Sequence, residues 1–265
     1  MRQFRDSPSR PAPRPRRRAW LATIARLLLV ATAVNLASGF VPGPARAQDP
    51  APVVYVYLHT DRKFAEVERI LKSRLPGLNL TVFGRFRDFE EAMAARPPDA
   101  VLGLGALLSN LGLRPSLQGM RANQDSETYA LLSVGDAFER SDGKDTASKT
   151  VGVVDLLGRE ATQAFVTSLM GSGDMKVKRV TKREDLLPLL QLGLADGVLA
   201  PMASVPEFTE HSRLPLRVRE LSAVRVKLSA VGVRNADVRD RIVNQIRALD
   251  PATNQILGVD AWRVP

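Results

Sequence analysis

The chain has 265 residues, no cysteine and two histidines, and it carries 38 lysines and arginines against 28 acidic side chains. Without cysteine there is no disulfide framework, thiolate metal site or cysteine nucleophile, and neither histidine has a partner at metal-ligand spacing. The formal charge of +10 invites a nucleic-acid reading, but nine arginines and one acid, Asp6, fall within residues 1–47, leaving 29 basic and 27 acidic side chains elsewhere, a surplus of only two.

Arg16-Arg17-Arg18 precedes an apolar run over 19–40 that only Arg26 interrupts, and Ala45-Arg46-Ala47 supplies a small-x-small pattern before Gln48. These features predict a secretory signal peptide, cleaved after Ala47. The uncharged part, 27–40, is short of the roughly 20 residues needed to span a bilayer. Arg17-Arg18-Ala19-Trp20-Leu21 also fits a twin-arginine signal, so the export route, general or twin-arginine, stays open. The mature chain from 48 is long enough to bury a core without staples and is expected in a periplasm.

Residues 53–58 (VVYVYL) are apolar on both faces, as in a strand buried within a parallel sheet. The run ends at His59-Thr60-Asp61, where Thr60 or Asp61 is placed to cap a helix over 62–75 with Phe64, Val67, Leu71 and Leu75 as its apolar stripe. A strand over 80–86, a helix over 88–95 closed by Pro97-Pro98, a strand over 99–104 and a helical turn over 106–111 extend the order to β-α-β-α-β. Residues 129–134 (YALLSV) read as a strand, and the polar stretch 135–149 as a surface segment leading into a second lobe.

From 150 to 201, valine-rich strands at 150–155, 176–180 and 196–200 alternate with runs at helical spacing, the signature of a parallel sheet flanked by helices. Ala161, Phe165 and Leu169 share a face of a helix over 159–170 that Gly171 ends. Thr181 and Glu184 have capping-box spacing, but Pro188 further along would kink that helix or make it restart. A short helix over 205–211, strands at 216–221 and 226–233, and a helix over 237–249 follow, the last stopped by Asp250-Pro251.

The junction Val154-Asp155-Leu156-Leu157-Gly158-Arg159 is where strand meets helix. In open α/β sheets, ligands sit at such strand ends against helix N-termini. The alternative is a tight turn that merely packs.

TVGVVDLLGREATQAFV (150–166), EDLLPLLQLGLADGVLAP (184–201) and RDRIVNQIRALDPATNQILGVDAWRVP (239–265), with this order of elements, resemble the type II periplasmic binding proteins, most closely the phosphate/phosphonate-type substrate-binding proteins of ABC importers. The resemblance implies an α/β fold of two lobes, each a mixed sheet flanked by helices, that clamp a ligand in the cleft between them. Lobe I maps to 48–135 with 222–265, and lobe II to 136–221. The implied partners are a small-molecule ligand and an inner-membrane ABC transporter permease, for a monomer that binds neither nucleic acid nor cofactor. The loops facing the cleft would be His59-Thr60-Asp61, Gly103-Leu104-Gly105, the neighbourhood of Ser133, the turn Asp155 to Arg159, and Pro201-Met202. Backbone N–H groups near Gly105 and Gly158 would serve as donors.

The chain departs from that family where Leu156, Leu157 and Gly158 replace a run of serine and threonine hydroxyls. Arg159 reads either as a substitute bidentate donor for a carboxylate or phosphate or as a solvated surface residue. The leucines imply either a partly apolar ligand or a scaffold or sensor module that kept the fold without the ligand. The cluster Lys176 to Arg179 with Lys182 and Arg183 reads as a solvated face. An enzyme is the weakest reading: there is no G-x-S-x-G elbow, Gly103-x-Gly105 lacks the third glycine of a dinucleotide loop, and His59 beside Asp61 is the best general base on offer.

Overall fold

The computed structural model describes residues 50–58, 60, 62–135, 138, 148–171 and 174–265. The signal peptide read at 1–47 and the loop residues His59 and Asp61 lie outside the described residues.

Strand β1 (Val53–Tyr57) pairs in parallel with β2 (Asn79–Val82) and β3 (Ala100–Leu104). Its side chains divide by parity. Val54 and Val56 join a core with Val67 and Leu71 of helix α1 (Phe64–Arg74), while Tyr55 and Tyr57 join another with Phe89 of α2 (Phe86–Ala95) and Leu107 and Leu108 of α3 (Gly105–Asn110). Period-two alternation with helices on both faces makes the whole strand apolar. Antiparallel strands β4 (Pro115–Met120), β10 (Ser229–Val233) and β11 (Ala261–Arg263) complete a sheet of order β11-β4-β10-β3-β1-β2. Helix α7 (Arg239–Arg247) buries Ile242 and Ile246 on the α1 face. Helix α8 (Pro251–Ile256) follows Asp250, whose carboxylate accepts from Thr253 N and Thr253 Oγ1 and so caps its first turn.

The second sheet has the order β7-β6-β8-β5-β9. Its members are β5 (Ser126–Val134), β6 (Thr150–Val154), β7 (Lys176–Val180), β8 (Gly197–Pro201) and β9 (Leu216–Lys227). Strands β6, β7 and β8 run parallel, and β5 runs against both β8 and β9. Tyr129 and Leu131 face α4 (Arg159–Met170), while Ala130 and Leu132 face α5 (Leu186–Gln191) and α6 (Val205–His211).

The chain passes between the lobes twice, just before β5 and just after β9. Leu228 N donates to Asp125 O at 2.9 Å, and Lys227 pairs with Asp125 at 2.7 Å, which ties the two passages together. The second sheet therefore holds 126–227, whereas the sequence reading assigned 126–135 and 222–227 to lobe I. The partners that decide this are far apart in sequence: Val134 lies opposite Leu216 and Ser126 opposite Lys227.

Three further differences have local causes. Strand β4, unread in the sequence because Pro115, Gln118 and Gly119 break its apolar pattern, exists through its ladders to β10 and β11. The expected capping box at Thr181 does not form, since Lys182 and Glu184 pair at 2.8 Å and a short 3-10 turn over Arg183–Asp185 intervenes. Helix α5 then starts at Leu186, which puts Pro188 in a first turn where its missing N–H is not needed. Among the described residues no helix is long and apolar enough to cross a membrane.

Candidate functional site

The carboxyl ends of β1 and β3 in lobe I face those of β6 and β8 in lobe II, and the two edges of this meeting differ in chemistry.

One edge is apolar and closed. Leu157 is 7 % exposed and packs in one cluster with Tyr55, Tyr57, Phe89 and Leu107, all residues of lobe I. The turn carrying it is pre-shaped. Asp155 Oδ1 accepts from Gly158 N at 3.0 Å and from Thr162 Oγ1 at 3.1 Å, and Asp155 Oδ2 accepts from Arg179. Gly158 has φ 82° and ψ 175°, a conformation open essentially to glycine, and a Cβ there would lie 2.4 Å from Phe86 Cε1. Across the lobes, Tyr57 Oη donates to Asp155 O at 2.6 Å. Burial, with Asp155 nearby, pushes the Tyr57 phenol up, so it remains a donor.

The other edge is a cleft of about 560 Å³ on an apolar floor of Leu104, Tyr129, Leu156 and Pro201. Its walls are charged. Arg183 reaches it from the turn after β7, donating to Ser204 Oγ at 2.6 Å and pairing with Glu207 at 2.8 Å. Near the crossing strands, Arg121 Nη1 donates to Glu127 Oε2 at 2.9 Å, and Arg121 also donates to Gly258 O. Burial raises the Glu127 carboxyl above the usual carboxylate range, with Arg121 and Arg183 acting against that shift. Thr60 and Arg62 close the mouth, and Arg62, Lys63, Lys182 and Arg183 line an adjoining groove with Glu184 as its acid. Arg62, Lys182 and Arg183 are paired with Glu66, Glu184 and Glu207, which leaves Lys63 as the surplus cation of this groove and a modest positive bias at the entrance.

Tyr129 stands where the floor turns inward. It is 5 % exposed, its ring meets Phe165 edge-on at 5.5 Å, and among the described residues its hydroxyl has no hydrogen-bond partner.

The residues singled out from sequence divide accordingly. Thr60, Leu104 and Leu156 line the cleft. Gly103 is packed against Tyr57 O and Leu107, and its role is close approach of strands. Gly105 N donates to Leu228 O at 3.1 Å and Gly158 N to Asp155, so neither N–H is open to a ligand. Asp155 is spent on holding its own turn. Ser133 is buried opposite Gly197 and Arg217, at the far end of lobe II, because β5 runs away from the cleft. Met202 packs into the core beneath α5 and α6, while its neighbours Pro201 and Ala203 face the cleft. Arg159 is exposed in an outer groove with Gln163, Lys178 and Arg179 and lines neither the cleft nor the pocket behind it. Sequence reasoning missed Arg121, Glu127, Tyr129, Ser204 and Glu207, and placed Arg183 on a solvated face. The pattern Glu127-x-Tyr129 at the entry to a strand was the available signal.

No protein-family model and no curated protein matches the sequence. Solved structures do. AbpA, an amino acid ABC transporter substrate-binding protein from Streptococcus pneumoniae bound to L-arginine, is 12 % identical over 78 % of this chain and 92 % of that one, with a TM-score of 0.52. A variant of ArgBP from T. maritima is 18 % identical over 78 % of this chain and 93 % of that one, at 0.50. The BvgS periplasmic domain of B. pertussis is 15 % identical at 0.50, with 81 % of this chain matching 44 % of that one, so this chain spans less than half of that domain. The chain thus has the two-lobe fold of type II periplasmic binding proteins. The likeness does not single out the phosphate/phosphonate type.

Proposed function

We propose that the protein is an extracytoplasmic solute-binding protein that takes a small organic anion between its lobes and delivers it to an ABC permease as a monomer, without catalysis of its own. The observation that carries this is the cleft itself: Arg121 and Arg183, each held by an acidic partner, over a floor of Leu104, Tyr129, Leu156 and Pro201. The lining is mainly polar, with fixed charged groups around an apolar floor, and such convergent polar groups orient a small ligand. Periplasmic placement rests on the signal pattern before Gln48, and the importer role on likeness to proteins such as AbpA.

The test is thermal unfolding of residues 48–265 with phosphate, phosphonates, sulfonates, carboxylates and amino acids. A ligand at 100 times its dissociation constant adds about 2.7 kcal/mol to the folded state. A shift confined to organic anions supports the proposal, and silence across the panel defeats it.

A second reading has its own support. Leu156 and Leu157 pack against lobe I residues and join the lobes directly, as suits a scaffold or sensor module that contacts a membrane partner. That reading expects the same silence across the panel together with retention on immobilised inner-membrane proteins.

A further inference from the structure

Beyond the charged cleft, and continuous with it, lies a second cavity. Leu104 and Ala106 from lobe I and Tyr129, Leu156, Phe165 and Leu199 from lobe II enclose it. It now holds about 20 Å³, room for about one water by volume, but a lining so apolar gives water few partners and keeps such a space dry. Leu104, Tyr129, Leu156, Arg183 and Pro201 line both spaces, so the pocket is the inner end of the cleft. Because its walls come from two lobes, a small hinge movement about the leucine edge would enlarge it from the cleft side. Leu156, half-buried at the junction, is placed as its gate.

Tyr129 adds an independent observation. A buried hydroxyl without a partner is costly; that of Tyr129 has none among the described residues, and Tyr129 lines both the charged cleft and the apolar pocket.

We infer that the ligand is an amphiphilic carboxylate or sulfonate: its anionic head sits near Arg183 and Tyr129, and an unbranched apolar tail of a few carbons enters the pocket behind Leu156. This rests on the solute-binding reading and narrows it. An inorganic oxyanion would leave the pocket unused, whereas each methylene buried there adds binding energy.

The experiment is calorimetric titration of residues 48–265 with straight-chain carboxylates of two to eight carbons and the matching alkanesulfonates, on the parent protein and on Ala106→Phe and Tyr129→Phe. Affinity is expected to rise about fourfold per methylene until the pocket is full. Ala106→Phe should retain the shortest anions and lose the dependence on length, with its melting temperature as the check that it folds. Tyr129→Phe should weaken every member of the series about five- to tenfold while leaving the protein at least as stable, because the hydroxyl it removes has no partner among the described residues. Equal affinity at every length in the parent protein would overturn the tail pocket and leave the solute-binding reading standing. No binding at any length would overturn both.

Discussion

The two edges of the interlobe junction start from equivalent strand ends and do opposite things. On the leucine edge, Leu157 and the Tyr57–Asp155 hydrogen bond join the lobes directly. Full burial of a leucine contributes about 1.5–3 kcal/mol and a hydrogen bond about 0.5–1.5 kcal/mol. On the arginine edge, the Arg183–Glu207 pair stays within lobe II and its glutamate is half-exposed, a type of contact that contributes about 0–1 kcal/mol. The first edge is sealed by packing across the lobes, and the second is left as an open cleft. The difference teaches that residue type, more than position in the fold, decides which strand ends become a binding wall.

The comparison breaks most severely at Leu157. Leu157→Ala should cost about 2–5 kcal/mol in urea unfolding, through lost burial and the cavity left behind; a cost under 0.5 kcal/mol would mean that the lobes do not share this contact. Gly158→Ala attacks the same edge through backbone strain and collision with Phe86, and about 1–3 kcal/mol should be lost from strain alone.

Asp155→Asn tests whether the turn is pre-shaped. It keeps the size of the side chain but gives up the charge that faces Arg179, and a loss of about 1–2 kcal/mol in chemical unfolding is expected. Binding of any anion found in the panel should survive it, which separates support of the turn from contact with ligand.

The arginine edge carries a pH signature. Burial raises the Glu127 carboxyl, so the folded state takes up its proton at a pH where the unfolded chain is still ionised. The cost of burying that charge is present at neutral pH and is relieved as pH falls toward the usual carboxylate value. Alkanesulfonates stay ionised throughout, so their affinity should rise over that window about two- to fivefold as one negative charge leaves the cleft. In Glu127→Gln the rise should vanish, and a rise that persists would place its origin elsewhere.

Arg159→Ala should do least. The side chain is exposed and does not line the cleft, so stability should change by less than about 0.5 kcal/mol and anion affinity not at all. A tenfold loss of affinity would return this arginine to the site.

Local pattern alone carries much of this molecule. The unbroken apolar run at β1, the stripe Val67 and Leu71 on α1, and Gly171 ending α4 each depend on neighbours within a few residues, and each is found where the pattern puts it. The departure at Leu156 and Leu157 is equally visible, since two large apolar residues in a turn need something to cover them. Long-range pairing settles the rest. That β5 runs away from the cleft follows from its ladders to β8 and β9, and with it the exile of Ser133 and the arrival of Tyr129. The cleft draws Arg121 from one passage between lobes, Glu127 from the start of β5, and Arg183 and Glu207 from the turn after β7 and from α6, residues that share no local motif. The N–H groups of Gly105 and Gly158 looked free because a chain read in order cannot show that Leu228 O and the Asp155 carboxylate already accept from them. Period and propensity are properties of a segment, whereas a site is a property of which segments meet, and that is fixed only when both cores are packed.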